Sequence, residues 1–217
     1  WNICMIKEIY ENPILWSPSE ERIHSSQMYK FMEFVNSKKI ITLKSFEDLH
    51  KWSITNKSDF WSQIWSFFDI IGNKGNKPFI DPINKMPGSN FFPSGKVNYA
   101  ENMLRRCDAG IAIVFRSEDK IRTELSWLDL NNQVSSLASF LTSSGVSKGD
   151  RVAAYMPNVP ETVIMMLAAS SIGAIFSSAS PDFGIEAVLD RFGQIEPKVI
   201  ITTDGYWYNG KQIDIID

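Results

Sequence analysis

Lys148-Gly-Asp-Arg-Val-Ala-Ala-Tyr-Met-Pro-Asn-Val-Pro160 decides the fold of this chain. A glycine turn feeds a short apolar run, 151–156, with no polar alternation along it. Strands of that kind are buried on both faces, as in a parallel sheet covered by helices. Pro157 stops the run, and Pro160 suits the first position of a helix reaching about Ile172. The alternation continues downstream with a strand over 174–178. A helix carrying Ile185, Val188, Leu189, Phe192 and Ile195 follows, then a strand over 198–203. Upstream, residues 111–116 and 121–126 read as a hairpin closed by Glu118-Asp-Lys120. After it comes an amphipathic helix with Leu130, Val134, Leu137, Phe140 and Leu141 on one face, ended by Gly145. Its crossovers are expected to be right-handed.

The first hundred residues follow a different rule. They read as short helices joined by loops. Ser17-Pro18-Ser19 offers a cap with proline at the first helical position, and Met28, Phe31, Met32 and Val35 follow at helical spacing. Ser45-Phe-Glu-Asp48 has the form of a capping box ahead of Leu49 and Trp52. Ser58 can cap a further helix with Phe60, Trp61, Ile64, Trp65 and Phe68 along one side, a face expected to pack against a neighbouring domain. Between 72 and 97 Gly, Asn, Lys and Pro dominate, Pro82 among them, which predicts an ordered surface loop or linker. The fold class expected is α/β. A mostly helical amino-terminal module (1–104) precedes the first part of a parallel or mixed sheet with flanking helices (105–217).

Composition narrows the function classes. With 44% hydrophobic and 22% charged residues the chain can build a core, so disorder is not expected. Lys and Arg number 22 against 25 Asp and Glu, a formal charge of −3, and no basic run attracts nucleic acid or anionic lipid. Cys4 and Cys107 lie far apart without metal-ligand spacing and suggest a reduced, cytosolic setting. Residues 162–176 are apolar but fall short of the roughly 20 needed to span a bilayer. Lys7, Glu8 and Glu11 argue against a signal peptide, and the opening residue, Trp1, leads one to expect the natural start upstream.

Ligands of open α/β sheets gather at the carboxyl ends of the strands. Three such ends carry polar or glycine-bearing loops: 156–160, 177–184 and 202–211. Each also has a plain structural reading. Pro157 and Pro160 can serve only to stop a strand and start a helix, Ser180 or Asp182 to cap the next helix, and Asn209-Gly210 to turn the chain. Neither a dinucleotide fingerprint nor a P-loop is present. His24 and His50 stand alone, and no Cys/His/carboxylate set suits a transition metal. Local chemistry alone thus gives an α/β protein with ligand-competent loops.

Taken together, the motifs say more. Glu124-Leu-Ser-Trp-Leu128 before a helix, then 148–158, resembles the opening of the adenylate-forming superfamily, which includes acyl-CoA synthetases, luciferases and peptide-synthetase adenylation domains. Asp59-Phe-Trp61 and Val97-Asn-Tyr-Ala-Glu-Asn-Met-Leu104 are similar to the extra amino-terminal module of short-chain acyl-CoA synthetases. Ser58-Asp-Phe-Trp61, Asn98-Tyr-Ala-Glu-Asn102, 172–184, Leu189-Asp-Arg-Phe192 and Tyr208-Asn-Gly-Lys211 resemble the acetoacetate branch most. The resemblance runs from about Trp16 to Lys211.

It implies a ligase that activates acetoacetate with ATP and Mg²⁺ as an acyl-adenylate and passes the acyl group to CoA, in ketone-body and fatty-acid metabolism. It also implies that the loop matching 180–183 and the stretch matching 208–211 lie near the CoA nucleotide, making Ser180, Pro181, Tyr208 and Lys211 candidate contacts. Ser180-Pro181-Asp182 stands where acetyl-activating relatives have Phe-Gly-Gly, and Tyr208 and Lys211 where they have two arginines. Lys211 could meet a phosphate, Tyr208 could stack on adenine, and Asp182 fits poorly beside phosphate. The Ser/Thr/Gly-rich phosphate loop ending in Lys, the acyl pocket and the catalytic residues are expected beyond Asp217. The remaining ligase domain would then be the chain's partner, and the chain alone would be inactive. A ligase for acetate or propionate, or a non-catalytic binding module, are the alternative readings.

Overall fold

The computed structural model describes residues 15–80 and 87–216. Trp1, Cys4, Lys7, Glu8, Glu11, Pro82 and Asp217, named above, lie outside them. The described residues fall into two compact units. One comprises residues up to Ile70 with Lys74–Ser94, the other Ile71–Asn73 with the chain from Gly95 onward.

The first unit is built on α1 (Glu20–Ser25), α2 (Gln27–Ser37), α3 (Phe46–Thr55) and α4 (Lys57–Phe67). The proline start fails by two residues: Ser19, not Ser17, caps α1, accepting from the Arg22 amide at 3.3 Å. Pro18 disfavours helical geometry in the residue before it, and Glu20 and Glu21 then fill the first turn, where the helix dipole favours anions. Ser26 is extended (ψ 149°), splits α1 from α2 and caps α2 through the Tyr29 amide.

The capping box forms as read. Ser45 Oγ accepts from the Asp48 amide at 3.2 Å, and Asp48 Oδ2 accepts from the Ser45 amide at 3.2 Å. Ser58 does not cap α4. Asn56 occupies that position without a side-chain bond to the helix, because its Oδ1 accepts from Thr55 Oγ1 at 2.9 Å.

The aromatic face of α4 is spent within its own unit. Phe60, Ile64 and Phe67 pack on the core of Phe31, Met32, Val35, Leu43, Leu49 and Trp52. Trp61 meets Phe91 edge-on at 5.1 Å and Trp65 meets Phe92 at 4.8 Å. The segment read as loop contains β-pairing: β1 (Gly72–Asn73) pairs antiparallel with β4 (Lys96–Val97), and β2 (Phe79–Ile80) with β3 (Asn90–Phe91). β-Strands of two residues carry no alternation to read, so sequence pattern misses them.

The second unit carries α5 (Tyr99–Met103), the β5–β6 hairpin (Ile111–Ser117, Ile121–Ser126) and α6 (Trp127–Ser143). β7 (Arg151–Tyr155), α7 (Pro160–Ser171), β8 (Ile175–Ala179), α8 (Ile185–Ile195) and β9 (Val199–Thr202) follow, and β10 (Gly205–Tyr208) and β11 (Lys211–Asp214) close the chain. The sheet order is β8-β7-β9, all parallel, as the apolar run of β7 requires. Val152, Ala153 and Ala154 are fully buried. Because strand side chains alternate, Ala153 meets Phe192, Val188 and Ile195 of α8. Val152 joins Leu141, Val134, Ile164 and Leu167 of α6 and α7 on the other face.

Two motifs turn out to be fasteners. Asn98 caps α5 by accepting from the Glu101 amide, and its Nδ2 donates to the Ser170 and Ser171 carbonyls at 3.0 and 3.2 Å. These are carbonyls at the carboxyl end of α7, which a helix cannot satisfy internally. Asn102 accepts from the Ile71 amide and donates to the Ile71 carbonyl, both at 2.9 Å. Asn98-Tyr-Ala-Glu-Asn102 is therefore structural.

So is Lys148-Gly-Asp-Arg151. Gly149 sits at φ +88° and donates to the Gly173 carbonyl. Arg151 Nε and Nη2 donate to the Ile195 and Glu196 carbonyls, closing the end of α8. Asp150 accepts from Lys198 Nζ at 2.9 Å, from Ser147 Oγ at 2.8 Å and from the Ser147 amide at 2.7 Å. Those donors, Lys198 first, hold its carboxyl down at about 2, against 3.8 ordinarily.

A depressed carboxyl contributes stability that is present above pH 3.8 and is lost as pH falls through about 2. Asp150→Asn is expected to lower the melting temperature at pH 7. The gap to the parent should close between pH 4 and pH 2 in thermal melts; a gap independent of pH would show that the ionised carboxylate is not the source.

Candidate functional site

All three polar loops converge at the carboxyl end of the sheet. The ends of β7 and β9, β5 and the β10–β11 hairpin enclose a cavity of about 790 Å³, lined by Met156, Val159, Glu161, Thr202, Asp204 and Trp207 among others. Beside it lies a smaller one of about 390 Å³. Ser180, Pro181 and Tyr208 line this smaller cavity together, with Arg116, Asn158 and Trp207. Lys211 does not line it. It stands opposite Tyr208 in the register of the hairpin, one turn from the rim, and is exposed.

The hairpin is held by its turn and by its neighbours. Asn209 and Gly210 have φ of 50° and 72°, the left-handed pair that a tight two-residue hairpin turn demands. The Gly210 amide donates to Glu118 Oε2 at 2.8 Å, which ties this turn to the tip of the β5–β6 hairpin. Lys120 Nζ lies 5.7 Å over the Trp207 ring.

The loop after β8 is fixed from three sides. Tyr206 Oη donates to Asp182 Oδ1 at 2.7 Å and Ser180 Oγ donates to Asp182 Oδ2 at 2.8 Å. Tyr155 Oη stands 2.8 Å from the Pro181 carbonyl and 2.9 Å from that of Phe183, and its single proton serves one at a time. Arg191 lies 4.3 Å over the Phe183 ring. Neither Ser180 nor Asp182 caps α8, whose cap position is Gly184. The Tyr206 hydroxyl, with that of Ser180, holds the Asp182 carboxyl below its ordinary range. Asp182 in turn, with loss of water, pushes Tyr206 up to about 12. Both oxygens of Asp182 accept from hydroxyls, which fixes the ionised carboxylate in place within the loop.

Thr142-Ser-Ser-Gly-Val-Ser-Lys-Gly149 has the composition of a phosphate loop, and its last five residues spell Gly-x-Ser-x-Gly. Its position excludes both roles. It joins the end of α6 to the start of β7, at the sheet end opposite the cavity, and Ser147 is bound to Asp150. A nucleophile elbow needs the reverse order, strand to helix. His24 packs on Tyr29 and His50 on Phe46. Among the described residues no group of three or more His, Cys, Asp or Glu side chains could hold a metal ion, and no helix is long and apolar enough to cross a membrane.

Tyr155, Tyr206, Arg116 and Glu118 were not singled out from sequence. Of these only Tyr206 had a signal, the pattern Gly-Tyr-Trp-Tyr-Asn-Gly-Lys-Gln-Ile-Asp, an aromatic run leading into Asn-Gly, which is a strong hairpin signature.

The match to known proteins agrees with this geometry. A family model described as AMP-binding enzyme matches residues 101–215. The chain is 44% identical over 201 residues to an acetoacetyl-coenzyme A synthetase of Rhizobium meliloti, covering 93% of this chain and 31% of that protein. It is 34% identical over 205 residues to the malonamoyl-CoA synthetase vrtB of Penicillium aethiopicum, covering 91% of this chain and 28% of that protein. Acetoacetyl-CoA synthetase from Streptomyces lividans superimposes with a TM-score of 0.82 at 35% identity, over 92% of this chain and 31% of that one. The chain thus spans under a third of the length of these relatives.

Proposed function

Because the chain belongs to the AMP-binding enzyme family, we propose that it serves, within the whole protein, an acetoacetate–CoA ligase. The carboxylate of acetoacetate attacks the α-phosphorus of Mg²⁺-bound ATP and expels pyrophosphate, and the CoA thiol then displaces AMP from the acyl-adenylate. The observation that carries this reading is the 44% identity to an acetoacetyl-coenzyme A synthetase along 93% of the chain. The division near residue 104 into cap module and ligase domain, and a cytosolic location, belong to the same reading.

Among the described residues no group of three or more His, Cys, Asp or Glu side chains could hold Mg²⁺. The described residues do fit part of CoA. Tyr208, 62% exposed at the rim of the smaller cavity, offers a ring face to adenine. Ser180 offers a hydroxyl, Pro181 an apolar wall, and Lys211 a point charge for phosphate from the adjoining strand. The Tyr206 and Ser180 hydroxyls hold the Asp182 carboxylate, still an anion, to the hairpin and to its own loop. The exposed side chains Ile185, Leu189 and Ile200, with the unpaired edges of β8 and β9, suit the remaining ligase domain as their cover.

Acetoacetate and malonamate share a carbonyl two atoms from the carboxylate, which acetate and propionate lack. The test is acid-dependent ATP–pyrophosphate exchange by the whole protein. Exchange with acetoacetate is expected to exceed that with acetate or propionate at least about tenfold, the scale of one unpaired polar contact. Exchange with acetate and not acetoacetate would overturn the assignment, and a preference for malonamate would move it to the second acid.

A further inference from the structure

We infer that Tyr206 and Asp182 form a clasp that positions the 180–184 loop for CoA, and so governs the thioester step without touching the adenylation step. This rests on the CoA reading of the smaller cavity and extends it to the bond between two residues of that cavity's wall.

The geometry is that of a latch. Asp182 belongs to the loop that follows β8, and Tyr206 to a strand that begins 22 residues after Phe183, on a separate two-stranded ribbon. Their bond of 2.7 Å runs from the hairpin to the loop, and both residues line the same cavity of about 390 Å³. On the other side Tyr155, from the end of the central strand, reaches the Pro181 and Phe183 carbonyls. The loop therefore hangs between the parallel sheet and a two-stranded hairpin, an element that is marginally stable by itself.

Ser180, the second donor to Asp182, is also a cavity wall, so the carboxylate orients the hydroxyl that a ligand would meet. With both its oxygens engaged, Asp182 acts as an acceptor within the protein and fixes the loop's conformation. Loss of the Tyr206 hydroxyl leaves the Asp182 carboxylate oriented by Ser180 alone and releases the hairpin from the loop. Both consequences weaken an anionic nucleotide and leave the rest of the sheet unchanged.

The experiment uses the whole protein carrying Tyr206→Phe, Asp182→Ala, Asp182→Asn and the double variant Tyr206→Phe with Asp182→Ala. CoA affinity is measured directly by calorimetry, beside acetoacetate-dependent pyrophosphate exchange and thermal melts. Tyr206→Phe and Asp182→Ala are each expected to weaken CoA about tenfold, a single charge-assisted hydrogen bond, with exchange within about twofold. The double variant should be no worse than either single one, since the two groups act as a unit. Asp182→Asn keeps an acceptor for Tyr206 and a partner for Ser180, and should restore most of the affinity.

Equal losses in exchange and CoA affinity, additive losses in the double variant, or unchanged CoA affinity would each overturn the clasp. A parent protein that binds CoA but shows no acetoacetate-dependent exchange would sink the substrate assignment alone, and the affinities would still decide the clasp. A parent protein that binds no CoA would overturn both the CoA reading and the clasp.

Discussion

Leu141→Ala is expected to lower the unfolding free energy of the α/β unit by about 3–5 kcal/mol in urea denaturation. Leu141 is fully buried on α6 and shares one cluster with Val152 of the sheet and Ile164 and Leu167 of α7. Truncation removes its transfer energy and leaves a void that three elements would have to move to fill. They are poorly placed to do so. The end of α6 is fixed by the Val146 amide donating to the Leu141 carbonyl at 2.9 Å, with Gly145 at φ +84° taking the left-handed position after the helix.

Such a loss is a large share of the roughly 5–15 kcal/mol that holds a domain together. Phe140, one residue earlier and expected on the same buried face, instead turns about 100° away from Leu141 and is 55% exposed. Phe140→Ala is its control and should cost about 1 kcal/mol or less. A comparable loss at both positions would mean that the helix face is wrongly assigned.

The helix face was readable because α6 is long. Seventeen residues give the 3.6-residue period several repeats, and Leu130, Val134 and Leu141 recur at its spacing. The central strand was readable for a different reason: Val152-Ala-Ala154 leaves no polar side chain to face water. The small residues there also fit the close approach of helices on both faces. Hydropathy could not show the fastening duties of Asn98, Asn102 and Arg151, because a side chain bonded to the end of a distant helix leaves no periodic trace.

The candidate site was legible as three loops but not as a built object. Ser180, Pro181 and Tyr208 were named as ligand contacts and do line one cavity, while Lys211 stands outside it. The tyrosines that hold the loop were passed over because an aromatic residue in a strand reads as core. Only the crossing of Tyr206 with Asp182, 24 positions apart in sequence, gives that hydroxyl a task.

The hairpin itself supplies the sharper functional test. Gly205→Val is expected to cut CoA-dependent thioester formation by about a hundredfold, the scale of an ångström-sized misplacement of a binding group. A Cβ at Gly205 would lie 2.6 Å from the backbone carbonyl oxygen of Ile213, a distance that no rotamer change relieves. Since Gly205 pairs with Asp214 at the open end of the ribbon, β10 and β11 would have to part there. Tyr206 would then leave Asp182, and Tyr208 would leave the cavity rim.

Gly210→Asn is the comparison. Gly210 has φ +72°, which asparagine tolerates better than other side chains, and a Cβ there meets no atom within 4 Å. Thioester formation in that variant should stay within about threefold of the parent, the cost of a mildly strained turn residue. Amide exchange at Tyr206 and Ile213, a bonded pair of the ribbon in register with the Ile215 amide's bond to Asp204, should accelerate in Gly205→Val and stay slow in Gly210→Asn. Acetoacetate-dependent pyrophosphate exchange should survive both substitutions. An open ribbon with undiminished thioester formation would show that CoA needs no hairpin, and loss of pyrophosphate exchange would show that the ribbon supports the whole site and not the thioester step alone.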